Sequence, residues 1–425
     1  MTRVNFPYGK EFLQLDIEDE YLKGVLVSHL NEYAPEHDQK TLIRNALDNP
    51  IGSEKLSDLA KGKKNVVIIC SDHTRPVPSK LIIPEMLKDI RKGNPEADIT
   101  LLIATGFHRL TTKEELIFKF GEEIVNNEKI VIHESQKDED MVYVGKLPSG
   151  GDLLVNKVAY NADLLCSEGF IEPHFFAGFS GGRKSVLPGV ASKKTVLANH
   201  CSKFIDSCKS RTGLIDGNPI HEDMLWAAKA CKLAFICNVV INEKKEVVYA
   251  VSGDVDLAHR KGVEFLSKYC MVDGLNTDIA ISTNGGYPLD QNIYQSVKGM
   301  TAAEATVRKD GVIIMLASAV DGHGGQSFYD TFCNDKKLED LYAEFMSRDA
   351  DNTIADQWES QILTRILMHA RVIYVSQADD EMIRNLRMIP AHSIDEALAK
   401  ARQLVGNNAS ITAIPDGVSL MVVRK

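Results

Sequence analysis

Asn65-Val-Val-Ile-Ile-Cys-Ser71, followed at once by Asp72-His73-Thr74-Arg75-Pro76, decides the fold of this chain. Its apolar residues are consecutive rather than alternating. That pattern belongs to a strand covered on both faces, as in a parallel sheet. Asp98 to Ala104 repeats it and runs out into Thr105-Gly106-Phe107-His108-Arg109. Helical stretches separate the strands, Pro78 to Lys92 and then Thr112 to Asn127, the latter opened by a threonine with acids in its first turn. Ile130 to His133 reads as a third strand and Ala162 to Gly169 as a further buried one. This β-α-β order predicts a doubly wound parallel sheet.

Parallel strands bring the loops that follow them to one edge, where open α/β sheets keep their ligands. Asp72, His73, Arg75, His108, Arg109, His174 and Lys184 are therefore expected around one crevice. Taken singly, each could be a solvated loop residue. His108 and His174, on different strand ends, suit a general acid and a general base.

Bulk properties narrow the class. The 425 residues suffice for two or three domains. With 44% apolar and 25% charged residues, the composition is that of an ordinary globular enzyme. A net charge of −10 and the lack of a dense Lys/Arg block argue against nucleic acid. There is no apolar run of membrane-spanning length and no signal-peptide core. The eight cysteines show no paired spacing and read as reduced thiols of a cytoplasmic protein.

The densest chemistry lies in Glu172 to His200, EPHFFAGFSGGRKSVLPGVASKKTVLANH. Glycines 178, 181 and 182 permit close backbone approach to an anion. The run GFSGGRKS is a near miss for a phosphate loop, because Arg183 stands where glycine should precede Lys-Ser. Lys184 is alternatively a covalent anchor. His200 is an imidazole without the protein partners a metal needs, and no HExxH or Cys/His cluster is present.

A second β-α-β series starts at Asp278 to Ser282 and continues through Gly311 to Ala319 and Arg371 to Ser376. The helix after Pro288 carries Tyr294, Gln295 and Lys298 at spacings that share a face, suited to a small carboxylate with a neighbouring hydroxyl. The expected fold class is α/β, with two α/β domains of mostly parallel sheets and an interdomain cleft. The boundary falls near Cys270, giving 1–270 and 271–409, with the closing strand at 410–425 free to rejoin the first domain.

Five motifs, SDHTRPVPS (71–79), ATGFHR (104–109), EGFIEPHFFAGFSGGRKSVLPG (168–189), LANH (197–200) and STNGGYPLDQNIYQSVKGM (282–300), resemble those of the nickel-pincer lactate racemase family. DGHGG (321–325) and DQW (356–358) extend the resemblance over nearly the whole chain. It implies an isomerase interconverting D- and L-lactate by reversible hydride transfer through bound pyruvate. The implied cofactor is a nickel pincer nucleotide, Ni(II)-pyridinium-3,5-bisthiocarboxylic acid mononucleotide, held covalently by Lys184 in the first domain, with His200 as the protein ligand to nickel. His108 and His174 would be the acid/base pair. Asp72, His73, Thr74 and Arg75 would contact the cofactor, and Arg75 also the substrate. Tyr294, Gln295 and Lys298 would hold the substrate carboxylate from the second domain. Implied partners are a small 2-hydroxy acid and the proteins that build the cofactor and insert nickel. A racemase of another 2-hydroxy acid, a phosphate-binding NTPase-like module and a non-catalytic metal-binding module remain alternatives.

Overall fold

The computed structural model describes residues 1–424. Two six-stranded sheets organise it. In the first, the strands Lys129–Ile132, Asp98–Ala104, Asn65–Ser71, Leu164–Phe170 and Leu233–Ile241 lie side by side in parallel. Val247–Gly253 returns antiparallel along the far edge. The middle of Asn65–Ser71 is buried throughout, as its unbroken apolar run requires. Ile82, Ile83, Met86 and Ile90 of the helix Ser79–Gly93 cover one face of this sheet.

The second sheet orders Ile389–Ala391, Arg371–Val375, Val307–Leu316, Thr277–Thr283, Ile411–Ile414 and Leu22–Val25, all parallel. The fold class is therefore α/β with mostly parallel sheets, as the sequence leads one to expect.

The assignment of both chain ends requires correction. Ile411–Ile414 does not rejoin the first sheet; it lies between Thr277–Thr283 and Leu22–Val25 in the second. Met421–Val423 likewise pairs with Met271–Asp273. Leu22–Val25, placed by sequence in domain 1–270, also belongs to the second sheet. The hairpin Thr2–Tyr8 and Glu11–Ile17 goes with it. Its inward residues Val4, Phe6, Leu15 and Ile17 cover Ile279, Ile281 and Ile314. The reason is physical: period-two alternation shows that a hairpin has one apolar face but not which sheet that face covers. The first domain is thus inserted between two pieces of the second.

The helical stretch 112–127 is two helices, Lys113–Phe120 and Glu122–Asn127. Thr112 opens the first with a capping box to Glu115. Gly121, at φ +90°, ends it.

Candidate active site

The loop after Asn65–Ser71 is tied down on three sides. At its base, Glu168 on the adjacent strand accepts from the Ser71 N–H at 2.8 Å and its hydroxyl at 2.6 Å. Lys119, buried, donates to the Arg75 carbonyl at 3.0 Å. Asp72, 1% exposed, accepts from the Thr74 hydroxyl at 2.7 Å and lies 2.7 Å from Nδ1 of His108. Burial alone would raise the Asp72 carboxyl. The His108 hydrogen bond and charge, with Thr74 and Arg75, outweigh it and hold the group below the ordinary carboxylate value.

The second loop leaves Leu164–Phe170 and turns back through the short pair Pro173–His174 and Gly178–Phe179. Arg183, wholly buried, ties this turn together. Its guanidinium donates to the carbonyls of Ala177 at 2.8 Å and Gly181 at 3.1 Å, and it faces the His259 ring at 3.1 Å. Gly178 is required here: φ is +77°, and a Cβ would sit 2.2 Å from the Leu214 carbonyl oxygen. The loop amides are already in use. Ser180 N–H donates to Glu172, Gly182 N–H to the Asn238 side chain and Lys184 N–H to Gly181. A phosphate would find no free amide nest at these three positions, which argues against the NTPase-like alternative.

His174 and Lys184 are half-buried. Their surroundings push both pKa values well below the ordinary ones. For His174 the causes are burial, then Lys184, Lys298 and Arg75. For Lys184 they are burial, then Arg183 and Arg75. Among the described residues no carboxylate pairs with the Lys184 amine.

His200 ends the helix Lys193–Asn199. It is 6% exposed, and its Nδ1 is buried without a hydrogen-bond partner. Burial, then Lys184, lowers its pKa to about 3, so at neutral pH the ring is uncharged with a lone pair to give. Among the described residues no group of three His, Cys, Asp or Glu side chains could hold a metal ion.

Aromatic rings join the two domains across the cleft. Phe107, next to His108, lies 6.4 Å from Trp358 between centroids, and Trp358 lies 5.1 Å from His200. His200 meets Phe176 at 5.0 Å, and Phe176 meets His174 at 4.6 Å. From the second domain, Lys298 Nζ lies 5.8 Å from the Phe175 ring and donates to Gln295 Oε1 at 2.6 Å. His174, Lys184, His200 and Lys298 are therefore close enough to act on one another electrostatically, and the parallel strands before His108 and His174 bring those two to one sheet edge.

Three expected site residues are engaged by neighbouring side chains, and Tyr294 stays beside Trp358 and Glu359. Arg109 forms a bidentate pair with Glu115, at 2.5 and 2.8 Å. His73 Nδ1 lies 3.0 Å from the Thr111 hydroxyl. Tyr294 donates its hydroxyl to Asp356 at 3.0 Å instead of joining Lys298. Sequence reasoning also missed Glu359. This carboxyl is 1% exposed, one of its oxygens has no partner, and it is electrostatically linked to Lys298. Burial raises its pKa to about 8 while Lys298 pulls it back. The available signal was an acid beside Trp358 on an otherwise apolar helix face.

Comparison with known proteins fits this geometry. The model of the lactate racemase N-terminal domain matches residues 8–213, and that of the C-terminal domain matches 272–422. The chain is 52% identical over 426 residues to a lactate racemase of Thermoanaerobacterium thermosaccharolyticum, covering 100% of each. It is also 52% identical to a lactate racemase of Lactiplantibacillus plantarum, over 99% of this chain and 100% of that one. The structure of the lactate racemase apoprotein from T. thermosaccharolyticum superposes with a TM-score of 0.96 at 51% identity, over 99% of this chain and 100% of that chain. A crystal structure from Thermotoga maritima, 20% identical, shares the fold at a TM-score of 0.64 over 91% of this chain and 99% of that one. The chain belongs to the lactate racemase family.

Proposed function

We propose that this protein interconverts D- and L-lactate. The observation that carries the reading is a pair of histidines at one sheet edge, after the strands on either side of Asn65–Ser71, with a carboxylate behind the first. In a hydride route the hydroxyl loses and regains a proton while the carbon passes through a planar state, and two histidines on separate strand ends can each serve the hydroxyl of one enantiomer.

The donor set fits a tethered nickel pincer nucleotide. Lys184 offers an amine without a carboxylate partner, depressed toward its neutral, nucleophilic form. His200 offers a neutral imidazole with an unpartnered nitrogen. Lys184 would carry the covalent link and His200 would be the protein ligand, with Arg75 near enough to act on the Lys184 amine. When bound, the nickel-pyridinium group supplies a reversible hydride acceptor, so that the substrate passes through a planar 2-oxo acid.

The protein's own groups handle protons and orientation. Lys298 and Gln295 receive the substrate carboxylate, replacing their mutual hydrogen bond. His108 takes the hydroxyl proton of one enantiomer, and Asp72 stabilises the imidazolium that forms. His174 serves the opposite face. Phe175, Phe176 and Trp358 displace water from the cleft, which strengthens these contacts. Proteins that build the cofactor and insert nickel are the expected partners. Among the described residues no helix is long and apolar enough to cross a membrane.

The test is racemisation of lactate, followed by chiral chromatography, in protein co-expressed with the cofactor pathway. His108→Ala and His174→Ala should each abolish interconversion in both directions. Near-normal rates in either variant would contradict the two-histidine assignment. Faster turnover of another 2-hydroxy acid would reassign the substrate and keep the chemistry. Intact mass should show the added nucleotide on the parent chain and not on Lys184→Ala.

A further inference from the structure

The two histidines of the proposed acid/base pair meet opposite kinds of partner. Nδ1 of His108 lies 2.7 Å from Oδ2 of Asp72. An ionised carboxylate only accepts, so this nitrogen carries the proton, and in the neutral ring Nε2 keeps its lone pair. Nδ1 of His174 lies 3.2 Å from the backbone nitrogen of Ala177, which donates its N–H to the ring. A nitrogen that accepts is bare, so in the neutral ring the proton sits on Nε2.

We propose that Asp72 and the Ala177 amide are positioning groups that hold the two imidazoles in opposite tautomers, His108 with an open Nε2 and His174 with an Nε2–H. The inference rests on the assignment of both rings to proton transfer. It makes them unequal. When His108 gains a proton at Nε2, its cation presents Nδ1–H to Asp72 and is stabilised. A His174 cation would aim Nδ1–H at the Ala177 N–H, two donors facing each other. His174 can accept at Nε2 only after that contact is released. The resting site thus holds one ring, His108, that can take a proton at once, and one, His174, that can orient a substrate oxygen through Nε2–H but exchanges a proton only after the Ala177 contact is released and Nδ1 carries the proton.

Thermodynamics limits where this asymmetry is visible. Enantiomers are equally stable in water, so kcat/KM must be the same for both. The inequality therefore appears as different kcat values matched by KM values that differ by the same factor.

The deciding measurement is a long-range ¹H–¹⁵N spectrum of the full-length chain with ¹⁵N-labelled histidine. His108→Gln and His174→Gln identify the two sets of signals. The expected result is a protonated Nδ1 with a bare Nε2 for His108, and the reverse for His174. A protonated Nδ1 on His174, or equal tautomers on the two rings, overturns the proposal. Asp72→Asn, which can place an N–H against His108, should move that ring's proton to Nε2. It should also lower kcat by about 10⁴-fold with little change in KM, as such a swap behind a catalytic histidine does. If that variant does not fold, the parent spectrum still decides. The spectrum is independent of turnover. Lactate racemisation with the wrong tautomers sinks this inference alone, and correct tautomers without racemisation sink only the functional reading.

Discussion

Trp358 of the second domain stands edge-on to His200 of the first, ring centroids 5.1 Å apart and planes at 69°. Two residues after His200, Ser202 is held by the same helix that carries Trp358: Gln357 donates to its hydroxyl and Gln361 to its carbonyl at 3.0 Å. The helix Gln357–His369 therefore grips the nickel-ligand candidate from both sides. Removing the ring should loosen His200. Edge-to-face pairs are worth about 0.5–1.5 kcal/mol, and a displacement near 1 Å can cost about 10²-fold in rate. Trp358→Ala should lower kcat by that order, with Trp358→Phe recovering most of it. Equal activity of Trp358→Ala and the parent chain would separate this ring from the site.

Lys298 faces Glu359 in a space too dry for an isolated ammonium. Burial lowers its pKa and Glu359 opposes that effect. Glu359→Gln removes the opposition, so Lys298 should lose its proton at lower pH. The alkaline rise in KM should accordingly begin at lower pH than in the parent, with kcat moving less. Lys298→Ala should raise KM by about 10–100-fold, the worth of one charge-assisted hydrogen bond. Steady-state kinetics from pH 6 to 10 checks both. An unmoved alkaline limb in Glu359→Gln would uncouple the pair.

His133 closes a third strand and holds the sheet edge to the loop below. Its Nε2 lies 3.0 Å from the Ala191 carbonyl and its Nδ1 lies 3.2 Å from the Asn156 amide. Complete burial lowers its pKa to about 4 from an unfolded value near 6.5, with the Ala191 hydrogen bond opposing. The folded state resists a proton that the unfolded state takes up. Stability is then full above about pH 6.5 and declines as pH falls toward 4, by about 1.4 kcal/mol per pH unit and about 3 kcal/mol in all from this residue. Urea unfolding at pH 7 and pH 5, for the parent and His133→Asn, should show a shallower acid loss in the variant. Parallel curves would remove His133 as a cause.

Strand identity was legible because buried parallel strands write themselves as unbroken apolar runs, as Asn65–Ser71 does. Parallel order then brought His108 and His174 to one edge without knowledge of any contact. What sequence could not show was a choice between equal options. The hairpin at 2–17 could cover either sheet. Arg109 could face the crevice or Glu115, and a helical acid one step past Trp358 could face solvent or Lys298. Arg183 is the clearest case. As a letter it spoils a phosphate motif, whereas in the fold it holds together the carbonyls of the loop that carries His174 and Lys184.

The insertion of one domain into the other sets the order in which the protein can be made. All strands of the first sheet lie between residues 65 and 253, so all of them, with Lys184 and His200, are made before the second sheet can be completed. The second sheet needs Leu22–Val25 from the start of the chain and Ile411–Ile414 from its end. At roughly 5–20 residues per second, the first unit waits roughly 7–30 s for the other to be completed. During that interval the lysine and histidine proposed to receive the cofactor are already made, while the sheet that carries Trp358 and Lys298 against them is still incomplete.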